Sequence, residues 1–345
     1  MCPRDSKGDM ALECARDPSH ALAGSNGGRH ARRVPQGHTS IKGDLRSLTD
    51  RLQVCATRHL MRMLSPADQS HLALEHPAGD PMHTSETSQY GINARVYHHA
   101  GVQQHYQEWL LMRSEAVALL KYQPAFAQRD ILDIGAGTGR TAVYLARMAR
   151  HYQAIDYSPV MVREFGRLFP DTSVAQVDMR KMEAFGAASF DFVLASNNVL
   201  DAVGHEDRLC TLREIHRLLR PAGVLMFSSH NRDNDRLVRW PKPEFSRNPI
   251  TQMQLAVHWG RALLNHARLR HLQTFTDEYA IINDEAHDSA LLHYYIGPDA
   301  QRLQLQEQGF ELLDIFDKLG NPVQPGHQTG HSSWLLYVAR RIPVS

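Results

Sequence analysis

The chain has 345 residues, 42% of them hydrophobic, enough to bury a sizeable core in one large α/β domain with additions or in two small ones. Lys plus Arg (38) nearly balances Asp plus Glu (37), so no strong field is available to draw in nucleic acid, and the 21 histidines are mostly neutral near pH 7. Four scattered cysteines (Cys2, Cys14, Cys55, Cys210) lack CxxC spacing, and no apolar run approaches the ~18 residues of a membrane span; a reduced, cytoplasmic protein without a secretory signal is expected.

Residues 1–40, rich in Gly, Ser, Arg, His and Pro, show no period and read as a disordered leader. Apolar residues between Ile41 and Leu64 recur at three- and four-residue spacings and predict an amphipathic helix, followed by a Pro- and Gly-punctuated loop. A second helix is predicted over Gln103 to Tyr122, with Tyr106, Leu110, Val117 and Leu120 on its buried stripe. Residues 41–125 would then form a helical lid segment before a domain spanning 126–345.

From there strands and helices alternate, the signature of βαβ units and a parallel sheet. Strands are predicted at 130–134, 152–156, 173–177, 190–195 and 223–229, and helices start near Gly139, Ser158 and His205. About sixty residues after the fifth strand contain no further strong strand but a helix around 249–270. They read as an inserted cap, about 232–290. A helix near 298–308, a stop at Gly309 and two strands (310–316 and 333–339) complete the chain.

The first strand breaks into ILDIGAGTGR (131–140). A P-loop needs Lys and Ser/Thr after its last glycine, but Arg140-Thr141 follows Gly139. A nicotinamide fingerprint needs a third small residue where the bulky Arg140 stands. What remains is an acid followed by glycines at alternate positions, Asp133, Gly135, Gly137 and Gly139, whose lack of side chains lets backbone approach a nucleoside closely. Downstream, YQAIDYSPVMV ends its strand in Asp156, VAQVDMRKM carries Asp178, FDFVLASNNVLDAV ends in Ser196-Asn197-Asn198, and LREIHRLLRPAGVLMFSSHN closes on His230.

These motifs, in this order and over roughly Ile131 to Arg340, resemble class I S-adenosylmethionine-dependent methyltransferases of the small-molecule type. The resemblance implies a Rossmann-like, doubly wound α/β fold. Its sheet would be mostly parallel and seven-stranded with an antiparallel last strand, preceded by N-terminal helices and interrupted by the cap. It implies S-adenosylmethionine as cofactor, held by Asp133, Gly135, Ala136, Gly137, Gly139, Asp156, Tyr157, Asp178, Met179 and Asn197. Asp156 would accept the ribose hydroxyls, or simply cap the following helix; Asp178 would accept from the adenine amino group, or serve as a turn residue. Asn197 would meet the methionyl part, although the same asparagines could form a turn and helix cap.

The sulfonium is already activated, so transfer needs in-line positioning, exclusion of water and, for a hydroxyl or ammonium acceptor, a base. Asn198, Asp201, His230 and Tyr97 are the candidates on the acceptor side. Tyr90, Tyr106, Tyr294 and Tyr295 are further candidates to face the cation. His98-His99, His258, His266 and His271 lack metal-ligand spacing, so no metal is expected. The basic, aromatic-punctuated stretches RLVRWPKPEFSR and RALLNHARLRH read as solvated faces, not as contacts to nucleic acid or membrane. A small-molecule acceptor in secondary metabolism is expected, and a homodimer is compatible with the sequence. Two other functions stay open: a cyclase that consumes S-adenosylmethionine and releases methylthioadenosine (azetidine-2-carboxylate synthase type), and a non-catalytic S-adenosylmethionine-binding protein.

Overall fold

In the computed structural model, residues 88–98, 110–237, 240–324 and 326–343 are described. The leader, the helix expected at 41–64, Tyr106 and His99 lie outside them. Five strands run in parallel in the order β3 (Ser173–Gln176), β2 (His151–Asp156), β1 (Asp130–Ile134), β4 (Phe190–Ala195) and β5 (Leu219–Asn231). On the far edge of β5, β10 (Trp334–Arg341) pairs antiparallel, and β9 (Phe310–Asp317) pairs antiparallel with β10. These seven strands are the expected Rossmann-like core with its antiparallel last strand.

Alternation of side chains explains why the strands read as near-continuous apolar runs: both faces are covered. Leu132, Val193, Leu225, Phe227 and Tyr337 point to one face, where the helix α5 (His205–Leu218) seats Leu212, Ile215 and Leu218. Their neighbours Ile131, Phe192, Val224, Met226 and Leu336 point to the other. There they meet Phe126 and the helix α2 (Arg113–Lys121) through Ala118 and Leu119.

Two expectations are corrected. The helix predicted from Gln103 to Tyr122 begins, among the described residues, only at Arg113, because Leu110–Met112 are non-helical and the Met112 backbone N–H donates to Glu115. Its buried face is therefore Ser114, Glu115, Ala118 and Leu119, while Leu110, Val117 and Leu120 face outward. The cap is not free of strands: β6 (Thr274–Phe275) and β7 (Tyr279–Ile282) form a hairpin, and β7 pairs with β8 (His293–Ile296), giving ten strands among the described residues.

The placement of β8 decides the site. β4 ends at Ala195, which pairs with Phe227, but β5 continues to Asn231. At His230 one edge of β5 is occupied by Trp334 of β10, so Tyr295 of β8 must take the edge that β4 has vacated. The cap strands thus lie directly beyond the carboxyl end of β4, where ligands bind in open parallel sheets.

Below this junction a fully buried ion pair joins four elements. Arg208 on α5 and Asp201 in the 3-10 turn Val199–Ala202 are both 0% exposed, with Nη1 2.6 Å from Oδ1. Arg208 also donates to Gln301 (2.7 Å) and Gln304 (3.1 Å) on the helix α7 (Pro298–Glu307) and to Ser229 (3.2 Å) on β5. Removing one partner of such a pair leaves a buried charge uncompensated. Arg208→Met should cost about 3–5 kcal/mol of stability, measured by urea unfolding. A loss below about 1 kcal/mol would show that the pair does not hold the junction.

Candidate active site

The glycine turn after β1 folds back on β2: Gly135 and Ala136 donate their N–H groups to the Ile155 carbonyl at 2.8 and 3.1 Å. At Gly135 a Cβ would lie 2.5 Å from Val199, and at Gly139 it would lie 2.3 Å from Phe169. At Gly137, with φ +56°, it would meet no protein atom within 4 Å, so the left-handed backbone and not a clash favours glycine there. Gly137 borders a cleft on one side of the turn and a second hollow on the other.

The cleft is walled by Gly135, Asp156, Tyr157, Asp178, Met179 and Asn197, with Tyr90 and Tyr97 contributed by the helix α1 (Gln89–Tyr97). Ile134, Met161, Val177 and Val199 supply an apolar lining for a planar base. The Asp156 carboxylate accepts from the Ser158 N–H (2.8 Å) and the Gly137 N–H (3.0 Å), so it caps the following turn and faces the cleft at once. Two of its four lone-pair sites stay available to a ribose diol. Burial pushes its pKa up to about 6 against the pull of these two donors. Asp178 is gripped by Arg180 through Nε and Nη2, at 3.1 and 2.7 Å, and the guanidinium lies 3.6 Å from the Tyr90 ring centre. Burial works against the ionised form of Asp178, but Arg180 outweighs it and holds the carboxyl below its ordinary value. A cradle without a side chain, a carboxylate with spare acceptors and an apolar slot fit an adenosyl nucleoside.

Asp133, Ala136 and Gly139 do not line this cleft. Asp133 and Ala136 face a hollow on the other side of the glycine turn. There Asp133 accepts from Tyr152 (2.5 Å) and from the Thr141 hydroxyl, with burial pushing its pKa up to about 6. Gly139 packs on Phe169. Arg140, the residue that spoiled the nicotinamide pattern, turns out of the loop into a two-pronged ion pair with Glu115 at 2.6 and 2.7 Å.

Asn197 and Asn198 follow β4 with φ of +55° and +59°, a left-handed pair that asparagine tolerates better than other non-glycine residues. Beyond them the four acceptor-side candidates come together with two residues not foreseen, His293 and Asp284. Asp201 Oδ2 accepts from the His230 backbone N–H (2.6 Å) and ring Nδ1 (2.7 Å), while Oδ1 accepts from Ser229 (2.7 Å). Because the carboxylate only accepts, it fixes the proton of the neutral His230 ring on Nδ1 and turns Nε2 toward the Asn198 amide, 3.2 Å away. The imidazole of His293 stacks on that of His230 with centroids 4.9 Å apart. Its Nδ1 lies 2.7 Å from Asp284 Oδ2, which also accepts from Tyr295 at 2.8 Å, and its Nε2 lies 3.4 Å from Tyr97 Oη. Burial lowers the His293 pKa, but the Asp284 charge and hydrogen bond outweigh it and hold the ring above the ordinary imidazole value. Two His–carboxylate dyads therefore present their Nε2 atoms toward Asn198 and Tyr97, both of which line the cleft.

The sequence signal for the second dyad was LLHYYIGP, in which the tyrosines drew attention and His293 did not. Of those tyrosines, Tyr294 is fully buried against His205 (2.9 Å) and Gln304 (3.2 Å) and faces the Arg208 guanidinium instead of the cleft, and Tyr295 is spent on Asp284. His258 pairs with Asp288 at 3.0 Å and His266 with Asn283 at 2.8 Å. Among the described residues His230, Asp284 and His293 are the group whose ligand atoms come within 4.8 Å of one another. Each histidine already commits Nδ1 to a different carboxylate.

The fold is a Rossmann-like α/β domain with its cleft at the carboxyl end of the parallel sheet. Residues 131–223 match the methyltransferase domain family. Over 120 residues the chain is 31% identical to a probable S-adenosylmethionine-dependent methyltransferase of Mycobacterium tuberculosis, covering 35% of this chain and 42% of that protein. Over 127 residues it is 35% identical to the malonyl-[acyl-carrier protein] O-methyltransferase of Enterobacter lignolyticus, covering 36% and 49%. The match thus spans less than half the length of either relative. Among solved structures, the CcbJ methyltransferase of Streptomyces caelestis aligns with a TM-score of 0.49 at 16% identity, covering 75% of this chain and 100% of that one.

If Asp156 receives the ribose, Asp156→Ala should weaken binding of S-adenosylhomocysteine by about 1–3 kcal/mol in calorimetry. In the parent protein affinity should fall as pH drops through about 6, where Asp156 takes up a proton. Asp156→Asn should flatten that dependence; unchanged affinity and an unchanged pH profile would remove the residue from the site.

Proposed function

We propose that the protein transfers a methyl group from S-adenosylmethionine to a small-molecule acceptor whose nucleophilic atom carries a proton. The observation that carries this reading is the joining of the Gly137–Asp156 cradle and the His230–Asp201 dyad by one short wall, Asn197–Val199, that lines the cleft. The cofactor, when bound, supplies an activated methyl. The chain's own residues have three tasks: to hold the nucleoside, to hold the acceptor in line, and to remove its proton.

Asp156 and Asp178 serve the first task, with the apolar slot around Met179 and Val177. For the third, His230 Nε2 is the base, oriented by Asp201 through Nδ1, and Asn198 holds the ring edge until the acceptor hydroxyl or amine replaces it. His293, held above its ordinary value by Asp284, places beside that base a second ring drawn toward its protonated form. An acceptor with an O–H or N–H next to a carbonyl or oxyanion would satisfy both imidazoles. Tyr97 and Tyr90 on α1 close the cleft on the opposite side and exclude water.

The protein is incubated with S-adenosylmethionine, with and without a low-molecular-weight metabolite extract, and the released nucleoside is identified by mass spectrometry. S-adenosylhomocysteine appearing only with the extract is the expected result; methylthioadenosine released without any acceptor would overturn methyl transfer. With an acceptor in hand, His230→Gln should lower kcat by about 10²–10⁴ while S-adenosylhomocysteine affinity stays unchanged. Asp201→Asn should also lower kcat and alter its pH profile. Equal losses of cofactor affinity and rate in His230→Gln would instead mark a packing defect.

A further inference from the structure

The helix α6 (Pro249–Leu269), 21 residues long, packs against the body of the protein on one side only. Leu255, Ala262 and His266 face inward, and His266 is the helix's one fully buried residue. On the opposite side Ile250, Met253, Val257 and Leu264 are 47%, 60%, 46% and 63% exposed. Their spacing (i, i+3, i+7, i+14) places them on a single stripe, with the small Ala256, Gly260 and Ala267 beside it. The segment leading into the helix adds exposed Phe245, while Trp240, partly exposed, lays its ring on His266 at the helix's inward side, 4.6 Å between centres. Isolated exposed leucines are ordinary, but four aliphatic side chains on one helix face mark a contact surface.

Charge identifies what it contacts. The stretch Trp240–His271 holds Lys242, Arg247, Arg261, Arg268 and Arg270 against one acid, Glu244, in a chain whose formal net charge is only +1. Four of these five are exposed and Arg261 is half-buried, and none makes an ion pair among the described residues. Arg261 and Arg268 border the aliphatic stripe, since they lie four residues beyond Val257 and Leu264. A second copy seated on this stripe would bring two basic borders together. Nucleic acid would pair with the arginines but would find no use for Ile250, Met253, Val257 and Leu264. An apolar face with basic borders and the exposed Phe245 ahead of it is complementary to a bilayer interface rich in anionic headgroups. No described helix is long and apolar enough to cross a membrane, so the contact is with its surface.

We infer that α6 and the segment before it, Trp240–Leu269, dock the protein on an anionic lipid surface, with the aliphatic stripe entering the headgroup boundary and the arginines meeting the lipid phosphates. The inference is independent of the methyl-transfer reading and needs no cofactor or acceptor.

The full chain is co-sedimented with vesicles of phosphatidylglycerol and phosphatidylcholine, and with vesicles of phosphatidylcholine alone. Binding to the anionic vesicles, weakened by high salt and accompanied by a blue shift of tryptophan emission that Trp240→Ala diminishes, is expected. Arg268→Gln should lower the partition roughly fivefold, the equivalent of about 1 kcal/mol per basic residue near the surface. The double variant Val257→Asp with Leu264→Asp should abolish binding; both sites are solvent-exposed, so an unchanged thermal melt separates lost binding from lost fold. Equal partition into neutral and anionic vesicles, or none into either, overturns the inference. So does salt-sensitive binding to polyuridylate without vesicle binding, which assigns the face to nucleic acid. A dimer in light scattering that Val257→Asp dissociates, with no vesicle binding, assigns it to a second copy.

Discussion

The acceptor side depends on one buried carboxylate whose acceptor positions are all taken. Asp201 meets the guanidinium of Arg208 and the Ser229 hydroxyl on one oxygen, and the backbone N–H and ring Nδ1 of His230 on the other. Two charges this deep carry a desolvation cost that only a full set of hydrogen bonds offsets. That requirement fixes where α5, α7, the end of β5 and the turn after β4 can stand relative to one another. The same carboxylate sets the tautomer of His230, so a packing constraint and a chemical one are met by the same atoms. Arg208 Cζ also sits 4.6 Å from the Tyr294 ring centre, which extends the constraint into the cap strand β8.

The cofactor side follows a different logic, in which backbone dominates. Asp156 is held by two amide N–H groups and not by a cation, so its charge is only weakly stabilised and burial raises its affinity for protons. Asp178 lies a short distance away with Arg180 in direct contact and moves in the opposite direction. One acid is thereby left responsive to what binds beside it, and the other is fixed as a partner of the Arg180–Tyr90 stack.

The core strands were legible because the central ones, β1 and β4, are buried on both faces and the outer ones are bounded by turn signals. β1 and β4 appear at the expected residues, and β2, β3, β9 and β10 within one or two of them. β5 starts at Leu219, four residues before the expected 223, because the RPAG stretch is drawn into it directly after α5 ends. The cap strands were not legible because they are two and four residues long and owe their pairing to the overhang of β5 past β4, a tertiary fact that no local period records. The face of α2 was misread for a related reason: the buried Glu115–Arg140 pair selects it, overriding the apolar stripe. In the site, Gly135, Gly137, Asp156 and Asp178 could be found by motif and order. His293 and Asp284 could not, since they are nine residues apart on different elements and meet His230 only through the β8 register.

Asn93 on α1 uses its whole amide as a rivet. It donates to the carbonyls of Ala202 (2.8 Å) and Leu292 (2.7 Å) and accepts from the Leu292 N–H (3.0 Å), while Gln89 one turn earlier donates to Leu292 and Asp201 carbonyls. Swinging this helix aside would strip five hydrogen bonds from a site where water is scarce. The segment that brings Tyr90 and Tyr97 to the cleft is therefore a wall and not a door. Traffic of ligand and product has to be accommodated by other parts of the rim, with α1 as the fixed post against which they move.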